Sequence, residues 1–384
     1  MSKIASDTDF GGMELRKAID YFCRLTIDPK FYKHIKENDK DFANSDFFGK
    51  ISWLRNENDT LYDPDYNDVI RTSFMSQFDR GKLSDLVSLL SGRNFETKSY
   101  ETEIAKSSFE KLKFGVENFI SETNFKRLIM ILNSAGFISP KLIRSYNTLN
   151  FAYVVYLKLK NDKVNSSEIE SFVKKWFVLT NLTGRYSGSS ESANDYDIRQ
   201  ISNKGFKTFL KEIEESELSD SFWDVQLPQK LETPSSNSPQ FLIFLAAQVK
   251  NNDKGFLSRD ILVRDLISNK GDIHHLFPKD YLKKNGYDKS SYNQVANYVY
   301  MQTEINIRVG NKPPKEYMEL VISQIKNGDK SISGVTSENE IYENLEMNCI
   351  PKEMLEMDIT NYEEFLNLRR KIMSHKIKNY YYSL

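Results

Sequence analysis

Cysteine, long apolar runs and an excess of either charge are what this sequence has least of. Its two cysteines, Cys23 and Cys349, lie far apart, which excludes a disulfide framework and a zinc site built from closely spaced cysteines. No apolar run approaches the roughly 18 residues of a membrane-spanning helix, so no membrane contact is expected. Residues 1–7 lack the basic and apolar blocks of a signal peptide, and we expect a cytoplasmic protein.

The charge balance limits how the protein could contact a polyanion. The 53 lysines and arginines are offset by 54 aspartates and glutamates, so a surface that is basic throughout is excluded. Any phosphate contact therefore has to be local. Aromatic residues make up 13% of the chain, and we expect most of them to pack between helices rather than to stack on bases.

Helical periodicity dominates the chain. Apolar residues recur at helical spacing from Leu15 onward, and the stretches 149–159 and 241–249 are apolar enough to be buried helices. With 384 residues the chain can hold a large core in two or three domains. The sequence predicts a mainly α fold, a multi-helix domain with a small β-containing segment inserted at about residues 270–310.

That segment contains two of the four histidines of the chain. His274 and His275 directly follow Ile273, and Pro278 ends any strand shortly after them. Asn297 and Asn306 follow farther along. A histidine at a strand end, followed by two spaced asparagines, resembles the layout of HNH, or ββα-metal, nucleases.

Phosphodiester hydrolysis explains why these residue types occur together. The reaction needs a base of near-neutral pKa and positive charge on the phosphate oxygens. The unperturbed imidazole pKa of about 6.5 suits His275 as the base. On this interpretation His274 and Asn306 bind one divalent cation, and Asp272 is a further ligand or a supporting carboxylate. Asn297 is expected to fix the His275 imidazole by a hydrogen bond.

Positive charge is concentrated around the histidine pair. Between Lys254 and Lys330 there are 13 lysines and arginines against 9 aspartates and glutamates, whereas the whole chain is near neutral. We expect local basic side chains to contact the DNA backbone: Lys279, Lys283, Lys284, Arg308 and Lys312. Upstream, Arg185 lies in a small-residue loop, residues 184–190, which either binds a phosphate or is an ordinary turn between helices.

Several stretches of this sequence resemble one family, the GmrSD-type proteins, which are bacterial modification-dependent (type IV) restriction and phage-defence proteins. Around the histidine pair, their HNH-like C-terminal nuclease region is similar to Asp-Ile-His-His-Leu-Phe-Pro-Lys (272–279), Asn-Tyr-Val-Tyr (297–300) and Asn-Ile-Arg-Val-Gly-Asn-Lys-Pro-Pro (306–314). In the helical part the stretches 151–153, 176–179 and 182–192 are similar to the family as well, so the resemblance covers most of the chain.

The resemblance implies a function and a cofactor. It implies a metal-dependent endonuclease that cleaves or nicks foreign double-stranded DNA, modified DNA included, in bacterial defence, with His275 activating water. One divalent metal ion is implied, Mg²⁺ first, with Mn²⁺ or Ni²⁺ as alternatives. Many HNH proteins have a carboxylate where His274 stands, and an imidazole ligand leaves the choice of metal open.

The resemblance also implies a partner. Full-length members begin with a ParB-like NTPase domain that carries an Asp-Gly-Gln-Gln-Arg motif, and no such run occurs here. We therefore expect a separate or fused NTPase domain that senses DNA modification. The chain would be the C-terminal part of a larger protein, a separately encoded nuclease subunit or a truncated form, in the bacterial cytoplasm.

Three domains are predicted. A helical domain covers residues 1–230, an HNH-like nuclease domain covers 231–330 with its ββα-metal core at about 270–312, and a C-terminal helical extension covers 331–384. The boundary near residue 231 rests on the stretch 233–239, which is rich in serine and proline as linkers are.

Other interpretations remain open on the residues alone. Near-neutral charge is compatible with a non-catalytic subunit that binds nucleic acid or a partner in a restriction-type assembly. Arg370 and His375 stand in the R-x4-H arrangement of HEPN-like ribonucleases. The histidine pair could consist of ordinary surface or core residues, and the stretch from Asn306 to Gly310 could simply end a helix.

Overall fold

The computed structural model describes residues 11–56, 61–269, 271, 273–329 and 331–384. Within these residues the chain is mainly helical, as predicted, with one two-stranded sheet. None of the helices in these ranges combines the length and the apolar composition that a membrane crossing requires. The chain divides into two compact units, residues up to 132 with 145–213, and residues 133–144 with 214–384. These limits differ from the three predicted domains, which stay a prediction.

The first unit is built from helices, of which α8 and α12 continue across its limits. Its helices are α1 (Gly12–Ile27), α2 (Phe31–Asn38), α3 (Lys40–Ala43), α4 (Asp46–Ile51), α5 (Tyr66–Phe78), α6 (Leu83–Leu90), α7 (Thr102–Phe119), α8 (Glu122–Ser134), α9 (Tyr146–Asn161), α10 (Ser166–Thr183), α11 (Ser190–Lys204) and α12 (Phe206–Glu217). A 3₁₀ turn, Ser52–Asn56, follows α4.

The centre of this unit is formed by α5, α7, α9 and α10. α5 packs against α7 and α9, and α9 packs against α10. A capping box starts α5, because the side chains of Asp65 and Asp68 each accept a hydrogen bond from the other's backbone N–H. The prediction of a buried helix at 149–159 is confirmed, since nearly all of these residues in α9 are buried.

The second unit contains the remaining helices and both strands. They are α13 (Leu227–Lys230), α14 (Pro239–Lys250), α15 (Val263–Ser268), β1 (Ile273–His275), α16 (Lys279–Lys284), α17 (Lys289–Tyr292), β2 (Tyr298–Tyr300), α18 (Thr303–Val309), α19 (Pro314–Asn327), α20 (Glu338–Met347) and α21 (Tyr362–Tyr382). Short 3₁₀ turns lie at Pro140–Leu142, Val295–Asn297, Lys352–Glu356 and Ile359–Asn361, and a π-helical turn lies at Phe222–Gln226.

The two strands lie inside the segment predicted to contain them. They are antiparallel, and the register pairs Ile273 with Tyr300, His274 with Val299, and His275 with Tyr298. α18 begins three residues after β2 ends, so the order along the chain is strand, strand, helix. Two short helices, α16 and α17, fill the connection between the strands.

α21 supports this strand pair from the carboxyl-terminal end of the chain. It packs against α13, α14 and the turn Val295–Asn297 that leads into β2. Phe365 and Leu366 of α21 are buried in one core with Leu276 and Phe277, which directly follow β1. Residues 362–382 therefore share a core with the strand pair.

The linker-like stretch 233–239 lies within the second unit. The Thr233 carbonyl accepts a hydrogen bond from the Val295 N–H at 2.9 Å, and the Pro234 carbonyl accepts one from the Tyr298 hydroxyl at 2.9 Å. Pro239 then begins α14, whose burial agrees with the helix predicted at 241–249. The stretch is thus bound beside β2 and does not connect the two units.

Candidate active site

The end of β1 brings both histidines to one cavity. Successive residues of a strand face opposite sides, so adjacent histidines can serve one site only where a strand ends. β1 ends at His275, although the Leu276 N–H still donates to the Asn297 carbonyl at 2.9 Å in the same register, and Pro278 then leads into α16. His274 and His275 are both half-buried.

A cavity of about 420 Å³ lies at this point, and we call it the histidine cavity. It brings together His274, His275 and Asn306 with Lys279, all of which the sequence predicts to be functional. The predicted ligand Asp272 lies outside the described residues. The complete lining is Ile273, His274, His275, Pro278, Lys279, Asp280, Asn306, Ile307, Gly310 and Asn311.

The His275 imidazole is held by Asn293. Its Nε2 lies 3.0 Å from Asn293 Oδ1. Because an amide oxygen can only accept a hydrogen bond, Nε2 carries the ring proton and Nδ1 keeps a lone pair. The ring also stands edge-on to Tyr298, with 5.2 Å between the ring centres. This tautomer leaves a lone pair on Nδ1, where the neutral imidazole can accept a proton.

Burial lowers the pKa of His275 from its usual 6.5. The hydrogen bond to Asn293 acts in the opposite direction, and the charges of Lys279 and His274 lower the pKa further. A pKa below the ordinary value keeps the imidazole neutral at neutral pH. His275 is therefore in the state that can accept a proton.

Asn297 lies behind the site and does not contact the His275 ring. It is completely buried, and its Oδ1 accepts from the Phe277 N–H at 2.8 Å. Its Nδ2 donates to the carbonyls of Phe277 at 3.1 Å and Tyr292 at 3.2 Å. The predicted hydrogen bond from Asn297 to the imidazole is therefore wrong, since Asn293 makes it. Asn297 instead fixes the backbone next to Asn293 and just after His275, so it positions both partners of that bond.

A buried arginine supports the same turn. Arg369 of α21 is completely buried, and its guanidinium donates to the carbonyls of Ala296 at 2.9 Å, Tyr298 at 2.7 Å and Asn348 at 3.1 Å. Ala296 and Tyr298 flank Asn297, so α21 fixes the backbone on both sides of it. Burial lowers the pKa of Arg369 to about 10, which leaves the guanidinium charged at neutral pH.

Asn306 is available to a ligand in the histidine cavity. It lies in the middle of α18, half-buried, and among the described residues its side chain has no hydrogen-bond partner. Gly310, at φ 61°, ends the same helix. The stretch is thus both a helix end and a cavity wall, and the two interpretations of it do not exclude each other.

The donors of the cavity fit a divalent cation with few protein ligands. His274 offers an imidazole nitrogen, which suits borderline divalent metals, and Asn306 offers an amide oxygen, which suits harder ions such as Mg²⁺ and Mn²⁺. Over the described ranges, no group of three histidine, cysteine, aspartate or glutamate side chains lies close enough to hold a metal. A cation here would take its remaining ligands from water and phosphate, as Mg²⁺ commonly does.

Of the predicted basic contacts in this unit, one lines the histidine cavity. Lys279 is exposed at the start of α16, with its ammonium group 5.6 Å from the Tyr292 ring centre. Lys283, one turn later, lies 3.7 Å from the Asp280 carboxylate. The other three lie outside the cavity lining: Lys284, Arg308 and Lys312. Lys279 is therefore the cation best placed for a phosphate in the cavity.

Arg185 belongs to the first unit and is bound within it. Its guanidinium donates to both carboxylate oxygens of the buried Asp197, at 2.7 Å and 2.6 Å. The Tyr186 hydroxyl donates to the same carboxylate at 2.8 Å. Of the two interpretations of the loop 184–190, these contacts favour the ordinary turn between helices, because the arginine neutralises a buried carboxylate instead of facing a phosphate.

Arg370 and His375 do not converge on one site. Arg370 is buried and donates to the amide oxygens of Asn367 at 3.1 Å and Gln294 at 3.2 Å, whereas His375 is exposed. Five residues along a helix correspond to a rotation of about 140°. The geometry gives no support to a HEPN-like site at these residues.

Three residues of the site escape the sequence reasoning: Asn293, Asp280 and Arg369. Asn293 is one of several asparagines between the strands, and nothing in a single sequence tells which of them faces His275. Asp280 brings a carboxylate to the cavity. Its position only five residues after His275 indicates in the sequence that it could lie near the histidine pair. Arg369 stands in the basic run Arg-Arg-Lys, which looks like a surface cluster in the sequence.

The chain is similar to an archaeal protein over part of its length. It is 26% identical over 219 residues to an uncharacterized protein of Methanocaldococcus jannaschii. The match covers 53% of this chain and 36% of that protein, so the chain spans about a third of the relative's length. No protein-family model and no solved structure matches the chain.

Proposed function

We propose that this protein is a metal-dependent endonuclease of the HNH type that hydrolyses phosphodiester bonds of DNA. The observation that carries the proposal is the histidine cavity, where His274 and His275 from β1 meet Asn306 from α18. A base, two neutral metal donors and a lysine at one cavity are the groups that this reaction needs.

His275 is the general base of the proposed reaction. Its Nε2–H is bound to Asn293, so Nδ1 is the atom that takes a proton from water as the water attacks phosphorus. The lowered pKa keeps Nδ1 unprotonated at neutral pH. Asn297 acts through the backbone as a positioning residue, since it holds the chain that carries His275 and Asn293.

His274 and Asn306 are the residues that would hold a divalent cation. When bound, the cation supplies positive charge at the phosphate oxygens and at the leaving oxygen. Mg²⁺ is the first expectation, and Mn²⁺ or Ni²⁺ are alternatives because imidazole suits borderline metals. Lys279 adds a fixed positive charge at the same cavity and attracts the substrate phosphate.

Plasmid cleavage tests this proposal. The purified protein should convert supercoiled plasmid to nicked or linear DNA with Mg²⁺, Mn²⁺ or Ni²⁺, and excess EDTA should stop the reaction. His275→Ala should lower the cleavage rate by about 10²–10⁴-fold, because a positioned general base contributes that much.

His375→Ala is the matched control for that test. His375 is exposed on α21 and outside the histidine cavity, so its replacement should leave the cleavage rate unchanged. Parental cleavage by His275→Ala in every metal would show that His275 is not the base. Absence of cleavage by the parent protein in all three metals would sink the nuclease proposal.

The near-neutral net charge of the chain is compatible with a second function, a non-catalytic subunit that binds nucleic acid or a partner. Calorimetric titration with Mn²⁺ separates the two functions. Metal binding that is lost in His274→Ala supports the nuclease, whereas DNA binding without any metal binding supports the non-catalytic subunit.

We also propose that the chain corresponds to the HNH-like region of GmrSD-type restriction and phage-defence proteins. The similar stretches around the histidine cavity support this proposal, which assigns foreign DNA as substrate and an NTPase domain, separate or fused, as partner. The neighbouring coding sequence is the direct test. An adjacent or continuous NTPase domain supports the assignment, and its absence from every genome that encodes this chain would contradict it.

A further inference from the structure

A second cavity, of about 400 Å³, adjoins the histidine cavity, and we call it the arginine cavity. Ile273 lines both cavities. Ile273 and His275 lie on the same face of β1, and two residues of a strand span about 7 Å. The two cavities therefore meet at Ile273, two strand residues from His275.

The arginine cavity has an apolar floor and a basic rim. Leu242 and Leu245 of α14 and Ile267 of α15 form part of the floor. The remaining lining residues are Pro140, Lys141, Leu142, Ile143, Arg144, Ser236, Asn237, Ile273 and Tyr300. Such a mixture of apolar surface with a few polar groups is typical of sites for small organic groups.

The basic rim is fixed to α14. Residues 133–144 approach that helix so closely at Gly136 that a Cβ atom there would lie 2.1 Å from the Ala246 carbonyl oxygen. Gly136 also has a positive φ of 101°, which favours glycine. The Tyr380 hydroxyl donates to the Ala135 carbonyl at 2.6 Å. This segment is therefore a built wall that holds Lys141 and Arg144 over the floor.

The charges of the rim are complementary to an anion. Lys141 and Arg144 are exposed, and among the described residues neither forms an ion pair. None of the described residues that line the cavity is an aspartate or a glutamate. Two cations that form no ion pair among the described residues stand at the mouth of an apolar cavity. This arrangement favours a ligand that joins an anionic group to a flat apolar one.

We propose that the arginine cavity binds the nucleotide next to the cleaved phosphodiester of a DNA strand. Its phosphate contacts Lys141 and Arg144, and its base, unpaired and turned out of the duplex, packs on the apolar floor beside Tyr300, in the way that unpaired bases pack on aromatic and apolar surfaces. The inference rests on the proposed nuclease function, because the histidine cavity sets where the strand is cut. The shared wall at Ile273 makes the two positions consecutive along the strand.

The test is DNA binding by the full chain in EDTA, measured as fluorescence anisotropy of a labelled oligonucleotide duplex at several salt concentrations. The double variant Lys141→Glu/Arg144→Glu is compared with Lys326→Glu/Lys371→Glu, which makes the same charge change at exposed residues that line neither cavity. The first pair should bind at least tenfold more weakly than the parent. Its salt dependence should also be shallower, by about 0.9 for each lost phosphate contact.

The outcomes separate this inference from the proposed function. If the parent cuts plasmid but Lys141→Glu/Arg144→Glu binds as tightly as the parent, the arginine cavity is not a DNA site. Equal weakening in both double variants reflects net charge alone and also overturns the inference. If the parent cuts no DNA while only the Lys141/Arg144 pair weakens binding, the cavity stands as a DNA site and the nuclease proposal fails.

Discussion

The candidate site has two sides, a back wall and a front, and asparagine has a different role in each. The back wall, formed by Asn293, Asn297 and Arg369, directs its polar groups at the protein itself. The front, formed by His274, Asn306 and Lys279, lines the histidine cavity. Asn297 is completely buried with its amide bonded to backbone, whereas Asn306 is half-buried and its amide has no partner among the described residues.

The difference separates two effects of substitution. The back-wall residues set the shape of the turn before β2, so their loss should cost stability. It should disturb His275 indirectly for Asn297 and Arg369, and directly for Asn293, which bonds the imidazole. In the front, Asn306 and Lys279 form no side-chain hydrogen bond or ion pair among the described residues, so their loss should alter binding or chemistry while the fold stays intact. The same substitution, asparagine to alanine, should therefore mainly lower the stability in the back wall and mainly lower metal binding and cleavage in the front.

The largest expected effect on stability is that of Asn297→Ala. The change leaves the Phe277 N–H and two carbonyls buried without their partner, which should cost about 3 kcal/mol of unfolding free energy. Urea denaturation measures the loss. Asn327→Ala, at an exposed position in the last turn of α19, is the matched control and should stay within about 0.5 kcal/mol of the parent. An equally small change for Asn297→Ala would contradict the claim that its hydrogen bonds stabilise the turn before β2.

Asn306→Ala should show the reverse pattern. Loss of a cavity donor should weaken divalent metal binding by about tenfold or more and slow plasmid cleavage accordingly. The unfolding free energy should stay near that of the parent, because the Asn306 amide has no partner among the described residues. Metal titration by calorimetry checks the first result, and unchanged affinity would exclude Asn306 as a ligand.

Asn293→Asp tests the pKa of the base. In the parent the His275 pKa lies below 6.5, so kcat/KM should fall only at pH values below 6.5, where the imidazole takes up a proton. A carboxylate beside Nε2 favours the charged imidazole and raises its pKa, by about one unit or more. The acid limb of the pH–rate profile should then move to higher pH by that amount. An unmoved limb would mean that another group is the base.

Lys279→Ala should have the smallest effect. Lys279 is exposed and is proposed to make one phosphate contact, so without it duplex DNA should bind a few times more weakly and the salt slope should fall by about 0.9. Lys326→Ala, which concerns an exposed lysine outside the cavity, should leave both quantities unchanged. Anisotropy titrations over a range of salt concentrations measure the two.

Local patterns account for what the sequence could predict. Apolar periodicity predicts the helical fold, and Pro278 predicts that a strand at the histidine pair ends shortly after it. The spacing from His275 to Asn306 brings those residues to one cavity as expected. These features depend on neighbours in the chain or on a single strand–helix unit.

The rest depends on tertiary contacts that spacing does not encode. Asn293 bonds His275 across 18 residues, and Arg369 reaches Tyr298 across 71. The identity of an asparagine or an arginine in the sequence does not reveal whether its side chain lines a cavity or supports a turn. Arg185 is the counterpart in the first unit, where a buried Asp197 determines its role.

The central claim is that His275 is the general base. Chemical rescue of His275→Gly tests it most directly, because added imidazole can replace the missing base but cannot repair a damaged fold. The variant, first verified to unfold at the same urea concentration as the parent, should cut plasmid far more slowly. Added imidazole should restore its rate by about tenfold or more, with a dependence on the neutral form of imidazole. A folded, metal-binding His275→Gly protein that cuts at the parental rate without imidazole would contradict the account.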